Sequence, residues 1–233
     1  MASIAVAAFA TATALVGPTV ATASAASPHR PTELAELLQP IRALSSPLVR
    51  STSVRYLAQF TPLTGEPAML PIVERRTVAD REWLRVMLPG RPNNRTGWIP
   101  ANMTTSHPLV WRIRIDLSNR VLVAFKAGDL IKRFKVVIGA RITPTPLGNF
   151  FVVEKVRLGT KWSPRGWALA LSAFSNALRH FEGGQGQVAI HARGSLAGAL
   201  GSASSHGCIR VTDRDAGWLN THVPRGTFVE IVR

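Results

Sequence analysis

The clearest periodicity in this 233-residue chain runs from Leu109 to Val156. Arg112–Leu117 alternates charged with apolar residues, the pattern of a strand with one buried and one wet face. Ser118–Asn119 turns the chain, Val121–Phe125 returns it, Ala127–Asp129 turns again, and Leu130–Ile138 is a third run. Prolines on both sides of Thr145, within Thr143–Gly148, predict a rigid extended segment that cannot donate to a ladder. Asn149–Val156 is the next strand. No long helix separates these runs, so they predict antiparallel meanders rather than β-α-β units. The pattern weakens over residues 158–187, which are rich in Gly, Trp and Ser. An insertion of that kind reads as a flap over a site, with Trp162 and Trp167 either its contacts or plain packing. Beyond it, Gln187–His191 is a short apolar strand, and Arg214–Asn220 a short helix that Asp213 would cap and Asp215 would favour through its dipole.

The N-terminal half is patterned differently. Thr32–Leu38 is a short amphipathic stretch that Thr32 could cap and that Pro40 and Pro47 limit, so residues 26–50 read as a linker or small helix. From Ser51 to Met103, short β runs alternate with turn-rich segments at Pro62–Gly65 and Pro89–Gly97. Trp83–Leu88 and Thr96–Pro100 form a hairpin pattern. This order of aromatic, apolar strand, Gly-rich turn and Gly-Trp-Ile-Pro resembles bacterial SH3-like domains, small β-barrels, and places one at 51–106. Such a barrel can bind wall peptide in an aromatic groove; Trp83 and Trp98 more simply fill its core. The unit is expected to position the second, C-terminal unit and to do no chemistry itself.

The first charged side chain is Arg30. The apolar and small residues before it, ending in Ala23-Ser24-Ala25, predict a secretory signal peptide over 1–25 and an extracytoplasmic destination, periplasm or cell wall. Gly17, Pro18 and the interspersed Ser and Thr make the stretch a poor membrane anchor.

Composition narrows the partners. Ten Lys and Arg face six acidic residues before Leu109, and eighteen face seven from there on, within a net charge of +15. That excess predicts contact with an anionic wall or membrane surface. Nucleic acid is disfavoured, because the basic residues are spread along strands and the chain is exported. Cys208 is the sole cysteine, which excludes an internal disulfide and a four-cysteine zinc site.

Cys208 lies in Ser204-Ser-His-Gly-Cys-Ile-Arg-Val211, seventeen residues after His191. A thiol attacks as thiolate, and a neighbouring imidazole supplies that form by taking the proton. His191 ends a separate strand, and adjacent strands lie about 5 Å apart, within reach of the sulfur. In extended chain His206, Cys208 and Arg210 share a face. The Gly207 and Cys208 amides are candidate oxyanion donors, and the planar fork of Arg210 suits a peptide carboxylate. Other readings stand beside this one: a small buried cysteine, or zinc held by Cys208 and two histidines. Ser205 and His206 point to opposite faces and make a poor serine–histidine pair. His107, His180 and His222 have no partner pattern and read as surface residues.

The region 109–233 resembles the L,D-transpeptidase (YkuD-type) catalytic domain. The resemblance is carried by Ile115–Leu122, Pro144–Gly148, Ala189-Ile-His191, Ser205-His-Gly-Cys-Ile-Arg210 and Asp215-Ala-Gly-Trp-Leu219. It implies a mainly β chain, with the SH3-like barrel followed by a β-sandwich catalytic domain and a short helix after the cysteine. It implies Cys208 as nucleophile, His191 as acid/base with its ring oriented by the Ala192 carbonyl, and His206 and Gly207 shaping the oxyanion site. Ser205 and Arg210 are expected to bind substrate, and no metal or cofactor is required. The implied partners are peptidoglycan stem peptides, as donor and acceptor, and carbapenem β-lactams as inhibitors. The implied reaction is 3→3 cross-linking in wall biogenesis and cell shape. An L,D-carboxypeptidase using water, or a wall-binding protein with a dormant second domain, remain alternatives. One departure is Ala192-Arg193, where the family usually has Gly after the histidine; Arg193 bears on the acceptor side.

Overall fold

The computed structural model describes residues 30–159, 166–180 and 184–233. The expected signal peptide and Trp162 lie outside them. The first seven strands are β1 Glu33–Leu37, β2 Ile41–Leu44, β3 Ser53–Leu57, β4 Met69–Val78, β5 Arg81–Met87, β6 Thr96–Pro100 and β7 Thr104–Pro108. They form one sheet in the order β3-β2-β6-β5-β4-β1-β7. Thr32–Leu38 is therefore not a helix or spacer. β1 is held between β4 and β7 by two antiparallel ladders, and that pairing overrides the helical leaning of Leu, Ala and Glu. The N-terminal unit thus begins at β1, well before Ser51. Trp83 and Trp98 are buried, each beneath an arginine guanidinium 5.1 Å from its ring centre. They serve as core rather than as the walls of an open groove.

The second unit holds β8 Trp111–Asp116, β9 Val121–Lys126, β10 Asp129–Lys135, β11 Ile138–Gly139, β12 Gly148–Arg157, β13 Trp167–Phe174, β14 Gln187–Ala192, β15 Ala203–Ser205, β16 Ile209–Val211, helix α1 Asp213–His222 and β17 Phe228–Val232. Its main sheet runs β10-β9-β8-β17-β12-β13-β14-β16, and β11 pairs with β15. The alternation in Arg112–Leu117 buries Ile113 and Ile115 completely. The meander expected from the sequence holds for β8–β9–β10, but β17 joins β8, and β16 joins β14, in parallel. Val137, just past β10, exchanges backbone hydrogen bonds of 2.9 Å with Arg210 of β16, so the two edges of the sheet meet around one core. Trp167 begins β13, with Arg157 over its ring, and is therefore a strand residue. The helix cap is Thr212 rather than Asp213: its hydroxyl accepts from the Asp215 amide and donates to the Asp215 carboxylate. Among the described residues no helix is long and apolar enough to cross a membrane.

The units share a wall. In the run Phe150-Phe-Val-Val153, Phe150 and Val152 face the core of the second unit, while Phe151 and Val153 pack with Leu37, Leu70 and Val86 of the first. Continuous apolar runs of this kind need cover on both faces. Polar ties reinforce the contact. The buried Glu154 carboxylate accepts from the Leu63 and Thr64 amides at 3.2 Å, and Arg225 pairs with Glu66 at 2.8 Å.

Candidate active site

β14 and β16 run parallel, with Ile190 opposite Ile209 and His191 opposite Arg210. Cys208 immediately precedes β16. Residues two apart on a strand share a face, so His191 and Ala189 on one chain, and Arg210 and Cys208 on the other, look the same way. All four line one cleft of about 310 Å³. Its remaining walls are mostly apolar, including Leu158, Ala168, Leu178, Val188 and Leu196, and His206 also borders it.

The His191 ring is fixed at one nitrogen. Nδ1 lies 2.7 Å from the Ala192 carbonyl, and a carbonyl can only accept, so Nδ1 carries the proton and Nε2 is left as the acceptor. The Ala192 carbonyl thus occupies the orienting position that the resemblance implies, and the side chain after the histidine does not enter the contact. Arg193 turns away into the next loop, its guanidinium donating to Gly198 O at 3.2 Å.

Burial dominates the electrostatics. It pushes the Cys208 thiol above its ordinary range, against the opposing pull of a hydrogen bond from the Ala189 backbone and the charge of Arg210. Burial also pushes His191 down; the bond to Ala192 opposes this and Arg210 adds to it. Both shifts favour the uncharged partners. The sequence led us to expect a thiolate already formed by the imidazole. Burial in this cleft works against that ion pair, raising the thiol and lowering the imidazole.

The loop before the cysteine is held by hydroxyls. β15 ends at Ser205, and Gly207 comes two residues later at φ +116°, a backbone conformation that L side chains rarely adopt. This break ends the alternation assumed for His206 and Cys208: His206 is exposed at the cleft border while Cys208 is half-buried. Ser205, expected to bind substrate, is only 1% exposed. Its hydroxyl accepts from the Gly207 amide at 3.1 Å and donates to the Cys208 carbonyl at 2.6 Å. It therefore shapes the loop from beneath. The same bond corrects the expectation for Gly207, whose amide is already engaged and is not a free oxyanion donor.

Two residues were missed as part of the site. Thr145 donates to Gly207 O at 2.9 Å and accepts from the Gly139 amide, and Thr143 donates to Ser205 O at 3.0 Å. The signal was present in the sequence. Pro144 and Pro146 lack an N–H, so the hydroxyls of Thr143 and Thr145 add donors that the prolines cannot supply. Asp213 also reaches back, accepting from the Gly194 amide at 2.9 Å just beyond the His191 strand.

Arg210 is buried beside the cysteine. One of its terminal nitrogens donates to Ala197 O at 2.7 Å, and its Nε is buried with no hydrogen-bond partner among the described residues. A buried unsatisfied donor is costly and needs a reason.

Comparison with known proteins gives this geometry a family. The model of the L,D-transpeptidase catalytic domain, YkuD, matches residues 111–231. The chain is 32% identical over 122 residues to YkuD of Bacillus licheniformis, covering 52% of this chain and 65% of that protein. With YkuD of Bacillus subtilis it is 29% identical over 153 residues, covering 64% and 74%. Among solved structures, L,D-transpeptidase 3 from Mycobacterium tuberculosis, in complex with a faropenem-derived adduct, aligns over 85% of this chain and 93% of that one, at 14% identity and a TM-score of 0.46. On the match across its second unit, the chain belongs to the YkuD L,D-transpeptidase catalytic-domain family.

Proposed function

We propose that this protein is an extracytoplasmic peptidoglycan transpeptidase that forms 3→3 cross-links through a thioester on Cys208, with His191 as acid and base. The observation that carries the reading is a thiol and an imidazole on one face of a parallel strand pair, in one apolar cleft, with Nε2 the nitrogen left to take a proton. The Cys208 sulfur attacks the carbonyl of the third residue of a donor stem peptide while His191 Nε2 takes the thiol proton. The oxyanion is met by the Cys208 amide. The carbon–nitrogen bond to the terminal D-alanine breaks as His191 returns the proton to the leaving amine. The side-chain amine of a second stem's diamino acid then attacks the thioester. His191 accepts its proton and passes it to the departing sulfur.

Arg210 takes the stem's carboxylate in this reading, and its place in the lining of the cleft beside Cys208 supports that role. The apolar walls favour the amine over water by excluding solvent. A carbapenem acylates the same sulfur by ring opening. The predicted leader supports export, and the basic excess supports contact with an anionic wall.

Intact-protein mass spectrometry with a purified tetrapeptide stem tests the reading. A Cys208 adduct followed by a cross-linked dimer is the expected outcome. A free tripeptide without dimer would make it a carboxypeptidase. Cross-link formation retained in Cys208→Ala would end the proposal.

A further inference from the structure

We infer that Arg91, on the turn between β5 and β6 of the N-terminal unit, is a positioning residue for the active cleft of the other unit. This rests on the function proposed above and adds a residue from outside the catalytic domain. The segment between β13 and β14 forms one side of the cleft through Ser175, Leu178 and Gly186. Three carbonyls of that segment converge on one guanidinium. Arg91 donates to Gln185 O at 2.7 Å, to Ser175 O at 2.9 Å and to Leu178 O at 3.0 Å. The same guanidinium lies 4.9 Å above the Phe174 ring. Asn93, two residues on, holds Phe174 at both backbone groups, 2.8 and 2.9 Å.

The carbonyls come from both ends of the segment. Ser175 and Gly186 close it with a backbone hydrogen bond of 2.8 Å, and the Ser175 hydroxyl accepts from the Ala177 and Leu178 amides. Gly186 has φ +67°, and a Cβ there would meet Leu178 O at 2.1 Å. The pinch is therefore tight, and the cation that satisfies its converging oxygens is supplied by the N-terminal unit. A planar fork with five donors holds several carbonyls at once in a fixed geometry, which the three donors of a lysine match only in part. The cleft wall that meets the stem peptide is thereby set by the neighbouring unit, while His191 on β14 and Cys208 just before β16 lie on segments that Arg91 does not touch.

The test compares the full chain with Arg91→Ala and Arg91→Lys. Three readouts are taken: steady-state kinetics on a tetrapeptide stem, alkylation of Cys208 by iodoacetamide across pH, and hydrogen exchange of amides 175–187. Arg91→Ala should raise KM about tenfold with kcat held within about twofold, since it loosens binding and leaves the reacting groups in place. Exchange at Ser175, Ala177 and Leu178 should speed up, and the pH profile of alkylation should stay that of the wild type. Arg91→Lys should recover part of the KM. An unchanged KM, a loss confined to kcat, or unchanged exchange in 175–187 overturns the inference. If the wild type fails to turn over the stem, the proposed substrate falls instead, and the exchange comparison alone decides on Arg91.

Discussion

The two ends of the eight-stranded sheet satisfy their backbone in opposite ways. At the β8–β9 end, six successive residue pairs run from Trp111–Lys126 to Asp116–Val121 with no break in register. Alternate residues there, Ile113, Ile115, Leu122 and Ala124, are fully buried. At the β14–β16 end only three pairs form, and the backbone around Cys208 is tied by the hydroxyls of Thr143, Thr145 and Ser205. A regular ladder leaves no amide or carbonyl to aim at a substrate. The proposed chemistry sits where side chains have taken over that duty, and the regular end gives the irregular end something stiff to lean on.

The contrast can be broken at four strengths. His191→Ala should lower turnover by about a thousandfold or more, because it removes the proposed base from the cleft that Cys208 lines. Its melting temperature should stay close to wild type; turnover sustained by His206 would show the base assigned to the wrong histidine. At the other end, Ile113→Ala should cost about 2–5 kcal/mol in urea unfolding, the usual range for emptying a filled core. Alkylation of Cys208 in the still-folded fraction should not change. Thr145→Val, which keeps the shape and removes the hydroxyl, should cost about 1–3 kcal/mol by orphaning the Gly139 amide and the Gly207 carbonyl. Unlike Ile113→Ala, it should also lower kcat.

The smallest effect is in pH. Because His191 is depressed in the folded chain, its base form should persist below pH 6.5, so kcat/KM should hold where an ordinary imidazole is already protonated. Stability moves over the same range. Below about pH 6.5 the unfolded chain binds the proton first, so stability falls as pH drops towards the folded pKa, by a slope of at most one proton. His191→Gln should flatten that part of the curve. The raised thiol predicts iodoacetamide alkylation that is still climbing above the range of an ordinary cysteine.

Much of this was legible in the residues, and the failures have physical causes. The alternation of Arg112–Leu117 gave β8, and the spacing from His191 to Cys208 gave the pair that lines the cleft. β1 was missed because Thr32–Leu38 carries helix-forming residues, and only its two ladder partners, far away in sequence, make it a strand. Alternation failed at His206 because it assumes extended chain, and Gly207 leaves extended chain at that point. Ser205 was misread for a related reason: the motif shows which residues cluster, not which side of the loop is covered. Asp213 reads as the cap by position, although Thr212 immediately before it has the hydroxyl that accepts from the Asp215 amide. The direction in which burial pushes Cys208 and His191 was not legible either, since it depends on which residues the fold packs around them.

The back-to-back phenylalanines of β12 bear on how the protein is handled in pieces. A fragment starting at Leu109 would carry the whole family match and every group the proposed reaction uses. It would also present Phe151, Val153 and Phe228 to water as a contiguous sticky flank. Such a fragment should self-associate, and poor solubility of the isolated half would reflect a missing neighbour rather than a defective enzyme.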